Sequence, residues 1–388
     1  MIVYETQFLE NQKLIAEAKS LENAGFITKE QRNEVESKLL EFKHQKNIFL
    51  RIALCILGSF AYGSICAFIS LLGLNTIERD LTVFVYLFAA VGFAGTEFFA
   101  KKNIKGQGYD DTFIIGGQLL LAAAVGVTSD GNELLIAIVA SIVACLTYLR
   151  YLKTISILFF AIASTAIVVF GLFELGSIGK TILPFVLMIY SLTLYFICKK
   201  VIVKNPFSYY RKGLVWLKYF NLVFFYISGN YFVVRELSVV LLGNEIAPDS
   251  DITMAWFFYA FTFLVPLFYI NTALKQQNRA MLWIGLATGG FTIFTIRNYY
   301  HVLPSAVALT IGGLLVFAIV YFSIKKLKDK TTGITFQPDR FMNTSDFMHT
   351  EALLLTSQFG LKPEVAPEAS PMEFGGGDFS GGGSGGNF

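Results

Sequence analysis

Between Ile48 and Ser323 the chain is a succession of about ten apolar stretches, each near the ~20 residues that cross a hydrocarbon core as an α-helix. A backbone in lipid must satisfy its own polar groups, and segments of this length do so as helices. The pattern predicts an all-α fold, a polytopic integral membrane helical bundle of about ten transmembrane helices. Spans are expected at Ile48–Leu72, Leu81–Ala100, Thr112–Thr128, Leu134–Leu149, Ile155–Phe173, Ile182–Cys198, Leu214–Val234, Met254–Leu274, Met281–Ile296 and Val302–Ser323. Several are short for a full crossing, which calls for local thinning or for side chains that snorkel.

The loops between these spans predict their direction. Lys101, Lys102, Lys105, Arg150, Lys153, Lys199, Lys200, Lys204, Arg211, Lys212, Lys275 and Arg279 fall in alternate loops, and Lys325, Lys326, Lys328 and Lys330 follow the last span. The intervening loops hold little more than Arg79, Lys180, Arg235 and Arg297. Cations stay on the cytoplasmic side, so both termini are expected in the cytoplasm of a bacterium, with the spans in its cytoplasmic (inner) membrane. An error of one span would scramble the alternation.

Composition agrees and excludes other classes. Hydrophobic residues make up 54% of the chain and charged residues 15%, well below the ~25% charged of a soluble domain. A net charge of +3, without a basic run interleaved with aromatics, excludes a nucleic-acid surface. Cys55, Cys66, Cys145 and Cys198 stand singly in apolar segments, in no metal-ligand spacing, and read as packing residues. No cofactor, metal or catalytic constellation is expected. The polar N-terminus lacks the apolar core of a cleaved signal, so the first span should direct insertion.

Residues 1–47 read as a cytoplasmic helical hairpin. Phe8, Leu14, Ile15, Ala18 and Leu21 recur at helical spacing, Gly25 suits a helix end, and Thr28-Lys29-Glu30-Gln31 fits a capping box. The second helix, with Val35, Leu39 and Leu40, is expected to run close to the first span. The stretch Leu21-Glu22-Asn23-Ala24-Gly25-Phe26-Ile27-Thr28-Lys29-Glu30-Gln31, followed by many spans, resembles the opening of a family of bacterial "predicted membrane proteins" of unknown activity. A similar Gly-x-Ile-Thr-x-Glu hairpin occurs in small bacterial oligomerisation modules. The resemblance implies the membrane class and supplies no catalytic residue.

Residues 48–325 form the transmembrane domain, and 326–360 a cytoplasmic segment with a short amphipathic helix around Phe347, Met348 and Leu353–Leu355. Residues 361–388 are a Pro-rich linker and then a Gly/Ser/Phe tract that buries no core and is expected to be disordered. That tract is similar to the tails of several bacterial envelope proteins, including those with a TPM domain, but such a domain is absent here. Gly382-Gly383-Ser384-Gly385-Gly386 matches a nucleophile elbow in letters only, because no helix or histidine partner follows it.

Charge inside a membrane is costly, so ionisable groups there are candidates for function. Glu97 has Lys101 four residues on, and Asp110 and Asp111 sit where carboxylates complement a helix N-terminus; each has a structural explanation. The seventh and ninth spans end differently, with Asn230, Tyr231, Arg235 and Glu236 on one and Arg297, Tyr299, Tyr300 and His301 on the other. A ligand site is expected there: Arg297 and His301 for an anionic group, with Arg235, Glu236 and Asn230 beside them. The alternative is an aromatic belt with snorkelling arginines. Gln118, Asn221 and Asn271 are expected to bond between helices, Pro266 to free a carbonyl, and Gly285-x-x-x-Gly289 to allow close packing.

Three functions remain open. One is a structural or regulatory membrane protein whose cytoplasmic ends, residues 1–47 and 331–388, recruit protein partners. The second is a small-molecule transporter, since length, short loops and orientation resemble the ten-helix drug/metabolite transporter superfamily. The third is an intramembrane lipid-linked transferase using the outward Arg, His and Glu.

Overall fold

The computed structural model describes residues 2–23, 26–45, 47–72, 81–205, 208–242, 251–276 and 278–300, with residues 310, 314, 317, 321, 322 and 325. Gly25, His301, most of the tenth expected span, the segment 326–360 and the tail 361–388 lie outside them.

The described residues form twelve α-helices and no named strand. They are α1 Thr6–Asn23, α2 Lys29–Lys38, α3 Ile48–Leu72, α4 Leu81–Lys101, α5 Tyr109–Thr128 and α6 Glu133–Tyr151. Then follow α7 Thr154–Phe173, α8 Gly176–Lys204, α9 Arg211–Gly229, α10 Tyr231–Leu242, α11 Ala255–Lys275 and α12 Arg279–Tyr300. Eight of them (α3 to α8, α11 and α12) are long and apolar enough to cross a membrane, and α9 with α10 forms one further, broken candidate. The molecule is a helical membrane bundle with its large apolar side chains turned outward. Leu57, Phe60, Phe68 and Leu72 of α3 and Leu264, Leu267 and Phe268 of α11 are all exposed.

Eight of the ten expected spans coincide with helices, usually within a few residues, and the tenth lies mostly outside the described residues. The seventh differs. Its expected course, Leu214–Val234, bends by 67° at Asn230, whose extended backbone ends α9 and starts α10. At 1.5 Å per residue α9 alone covers about 28 Å, so the break lies near one end of the bundle and α10 runs obliquely from it.

The helices alternate in direction, which gathers one set of ends. The starts of α3, α5, α7, α9 and α12 meet the ends of α4, α6, α8 and α11 at a basic end carrying Arg51, Lys101, Arg150, Lys153, Lys204 and Arg211. The other, far end holds the break. Small residues set the closest contacts. A Cβ on Gly92 would fall within 2.6 Å of the Gly117 backbone, and one on Gly116 would strike the Tyr62 ring, so α3, α4 and α5 lock together where side chains are absent. Gly285 likewise abuts Ile270 of α11, with a Cβ position 2.9 Å from its side chain, while Gly289 has more room.

At the basic end the N-terminal segment is part of the bundle. The capping box at Thr28 and Gln31 is present, with Thr28 N–H donating to Gln31 Oε1 at 2.8 Å and Gln31 N–H to Thr28 Oγ1 at 3.3 Å. The α1 stripe facing inward is Phe8, Asn11, Ile15 and Ala18; Leu14 and Leu21 are exposed. Helix α2 stops at Lys38 and does not run on to the first span. Extended chain follows it, pairing Lys43 N–H with Asn103 O (3.1 Å) and Lys105 N–H with Lys43 O (3.2 Å). Phe42 is the apolar reason: it buries with Tyr4, Leu9, Ala100, Ile114 and Tyr151 beneath the hairpin.

Candidate functional site

Two polar constellations stand out, one at each end of the bundle. At the basic end the loop before α5 reads Lys105-Gly106-Gln107-Gly108, and Gly106 and Gly108 take φ of +84° and +112°, which non-glycine residues adopt only with strain. That path folds the loop around Asp110. Its Oδ1 accepts from the Gln107 and Gly108 N–H groups, both at 2.9 Å, and its Oδ2 from Gly106 N–H at 2.7 Å. A Cβ on Gly108 would collide with the Arg51 carbonyl, so the same glycine also lets α3 approach.

Lys153 completes the cluster. Its ammonium, almost fully buried, contacts Asp110 Oδ2 and donates to Asp111 Oδ1 at 2.7 Å, while Arg51 pairs with Asp111 Oδ2. Two carboxylates thus face two cations from three separate spans. Lys105 lies beside them, its ammonium 5.0 Å from the Tyr4 ring and 5.2 Å from the Phe42 ring. Burial, with Lys153 and Lys212 adding to it, draws the Lys105 ammonium down to about 8. Burial, then Asp110 and Asp111, pushes the Tyr4 phenol up.

A second pair reinforces this end. Glu97 lies 3.8 Å from Lys101, the neighbour the sequence offers, but its tighter partners come from α6. Arg150 holds it with two bonds at 2.9 and 2.6 Å and Tyr151 donates at 2.8 Å. The Arg150 carbonyl in turn accepts from Val3 N–H at 3.1 Å, tying the N-terminus to the same corner.

At the far end the break in the α9–α10 path is stitched by a buried chain of bonds. Asn230 Oδ1 accepts from Phe232 N–H at 3.0 Å, capping α10. Asn230 Nδ2 donates to the Tyr226 hydroxyl (2.9 Å), which donates to Thr292 Oγ1 (2.8 Å), which donates to the Thr262 carbonyl (2.9 Å). That carbonyl is free because Pro266, four residues on, has no N–H to give it. Tyr231 N–H finds Thr262 Oγ1 at 3.0 Å, so the first turn of α10 has no spare donor for an anion. Beside this joint lies a cavity of about 250 Å³ lined by Tyr231, Tyr259, Thr262, Thr295 and Tyr299 among others.

The five residues expected to form a ligand site divide. Asn230, Arg235 and Glu236 belong to this region, each already engaged. Arg235 donates to the Tyr231 hydroxyl at 2.7 Å, lies 3.7 Å from Asp251 and stands 4.9 Å over the Tyr299 ring. Tyr299 donates to Glu236 Oε1 at 2.7 Å. Arg297 is exposed, off the Thr292, Thr295 and Tyr299 stripe that faces the joint, and His301 lies outside the described residues. Of the three expected interhelical amides, Gln118 bonds across to Ser156 of α7 at 2.7 Å. Asn221 instead donates back to Leu217 O within α9, and Asn271 is exposed.

Sequence reasoning explained Asp110 and Asp111 locally and counted Lys153 as a loop cation; their union was missed. The Gly-Gln-Gly before the acidic pair was the one local signal that a carboxylate is being wrapped. No three His, Cys, Asp or Glu side chains among the described residues gather as a metal would require. Comparison of the chain with family models, curated proteins and solved structures finds no match.

Proposed function

We propose that the protein is a structural or regulatory component of the bacterial cytoplasmic membrane. In this reading it has ten spans and both ends in the cytoplasm, and residues 1–47 and 331–388 recruit protein partners. The observation that carries it is the way the N-terminal hairpin is held. Main-chain bonds at Val3 and Lys43 and the buried Tyr4 and Phe42 fasten it to the basic end. Leu14, Leu21, Phe26, Val35 and Leu40 are left exposed on it. Exposed apolar side chains on a rigidly seated element suit a docking face better than a free arm, because less ordering is required on binding.

A photoreactive residue placed at Leu14, Leu21 or Val35 in living cells tests the reading. Discrete protein adducts are expected there, and far fewer with the probe at Glu17. Adducts at none of these positions, or equally at Glu17, would sink it.

The bend at Asn230 favours a second reading, a transporter. Interrupted helices near a cavity are a known way to build a substrate path. Single cysteines at Thr262 and Thr295, in a chain with its four native cysteines replaced by alanine, separate the two. Reaction with membrane-impermeant thiol reagents from both sides supports transport; protection from both sides supports the structural role.

A further inference from the structure

A groove of about 380 Å³ runs along the membrane-facing side of α5, α6 and α7, within the size range of small-molecule sites. Alanines make the room: Ala137 and Ala140 on α6 and Ala163 and Ala166 on α7 line it where larger residues would fill it. Leu119 and Ile162, also lining it, are exposed, so the groove opens sideways toward lipid. Its polar features are two. Glu133, the first residue of α6, marks the far end. Gln118, halfway along α5, sits at mid-span and is 6% exposed.

Gln118 is the informative residue. Its Nε2 donates to Ser156 Oγ, but Oε1 is buried and has no partner, one of three such side-chain atoms among the described residues. An unpaired amide oxygen in apolar surroundings is unfavourable, so a donor brought to it gains a hydrogen bond without displacing water. Water is a poor candidate, because a buried water needs two to four polar partners and the walls here are hydrocarbon. A molecule that is apolar along its length and carries one neutral O–H meets both demands. The carboxylate at the rim opposes an anionic head.

We infer that the groove between α5, α6 and α7 binds a lipophilic alcohol whose hydroxyl donates to Gln118 Oε1. The site is independent of the anchoring role of the N-terminal hairpin and of the cavity at the helix break.

The test uses the full chain in membranes and two photoreactive probes: a long-chain alcohol bearing a diazirine and an alkyne, and its methyl ether, which lacks the donor. The alcohol is expected to label peptides of α5 to α7. The ether should label them about tenfold less, the ratio equivalent to one net hydrogen bond of roughly 1.4 kcal/mol. Gln118→Leu should bring the alcohol down to the level of the ether, and Ala163→Leu, which fills the groove, should abolish labelling by both. Each variant is checked for wild-type thermal unfolding and a single size-exclusion peak. If Gln118→Leu does not fold, Ala163→Leu and the alcohol-to-ether ratio in the wild type still decide the matter. Equal labelling by alcohol and ether, labelling spread evenly over every lipid-facing helix, or labelling that survives Ala163→Leu would overturn the proposal. So would a high yield of disulfide between two copies carrying cysteine at Ala140, which would mean that a second chain covers the groove.

Discussion

Between α6 and α7 there are only two residues, Leu152 and Lys153, and the first takes the left-handed conformation with φ of 52°. That turn sends the Lys153 side chain back to the two carboxylates of α5. Because the ammonium is nearly buried, removing it leaves Asp110 with its three backbone donors but no counter-charge and Asp111 with Arg51 alone, and breaking such a pair costs about 3–5 kcal/mol. Lys153→Met should therefore lower the thermal unfolding temperature in detergent sharply, while Lys102→Met, at the exposed end of α4, should leave it unchanged. Lys105 gives a pH dependence of opposite origin. Docked under the N-terminal segment it holds its proton only up to pH about 8; released into water it returns to the ordinary lysine value of about 10.4. Between those values the released state binds more protons, so docking strengthens as pH rises through that window. Hydrogen exchange at Val3 and Lys43, corrected for the intrinsic rate, should show more protection at pH 9.5 than at pH 7. In Lys105→Met the two should be equal.

At the scale of elements, the joint at Asn230 depends on bonds between helices that are distant in sequence. Thr292 takes up the carbonyl that Pro266 leaves free and accepts from Tyr226, so Thr292→Val removes the partners of both at once. A loss of about 1–3 kcal/mol is expected in thermal unfolding, with Thr292→Ser close to wild type. The existence and length of the helices were legible because a membrane span is fixed by hydrophobic length, which is a local property. The capping box at Thr28 was legible for the same reason, being contained in four residues. The bend was not, since Lys218 and Asn221 are as polar as Asn230 yet stay within α9, and only the partners at Thr262, Thr292 and Thr295 make an interruption at Asn230 tolerable. Glu97 illustrates the limit from the other side. Its neighbour at i+4 was visible, whereas Arg150, 53 residues away, became its main partner only through packing. Arg235 and Glu236 stand out in the sequence as charges near a span end, yet of the groups that engage them only Tyr231 shares their helix, while Tyr299 and Asp251 lie elsewhere.

At the scale of the molecule, the alternation of helix directions among the described residues brings the cationic helix ends together. Reporter fusions after Lys212 and Lys330 should read cytoplasmic and one within residues 244–251 periplasmic; any inversion among the three would reject the ten-span arrangement. Lys153 is a reminder that a cation in a loop need not be a free topological signal, since here it is spent on neutralising α5. The buried ion cluster also imposes a schedule on biosynthesis. Asp110 emerges from the ribosome 43 residues ahead of Lys153, a lag of about 2–9 s at ~5–20 residues per second. The segment around Val3 waits longer still, because the carbonyl that receives Val3 N–H belongs to Arg150. That segment, made well before Arg150, thus waits for its seat, and for that interval the nascent hairpin is accessible to chaperones.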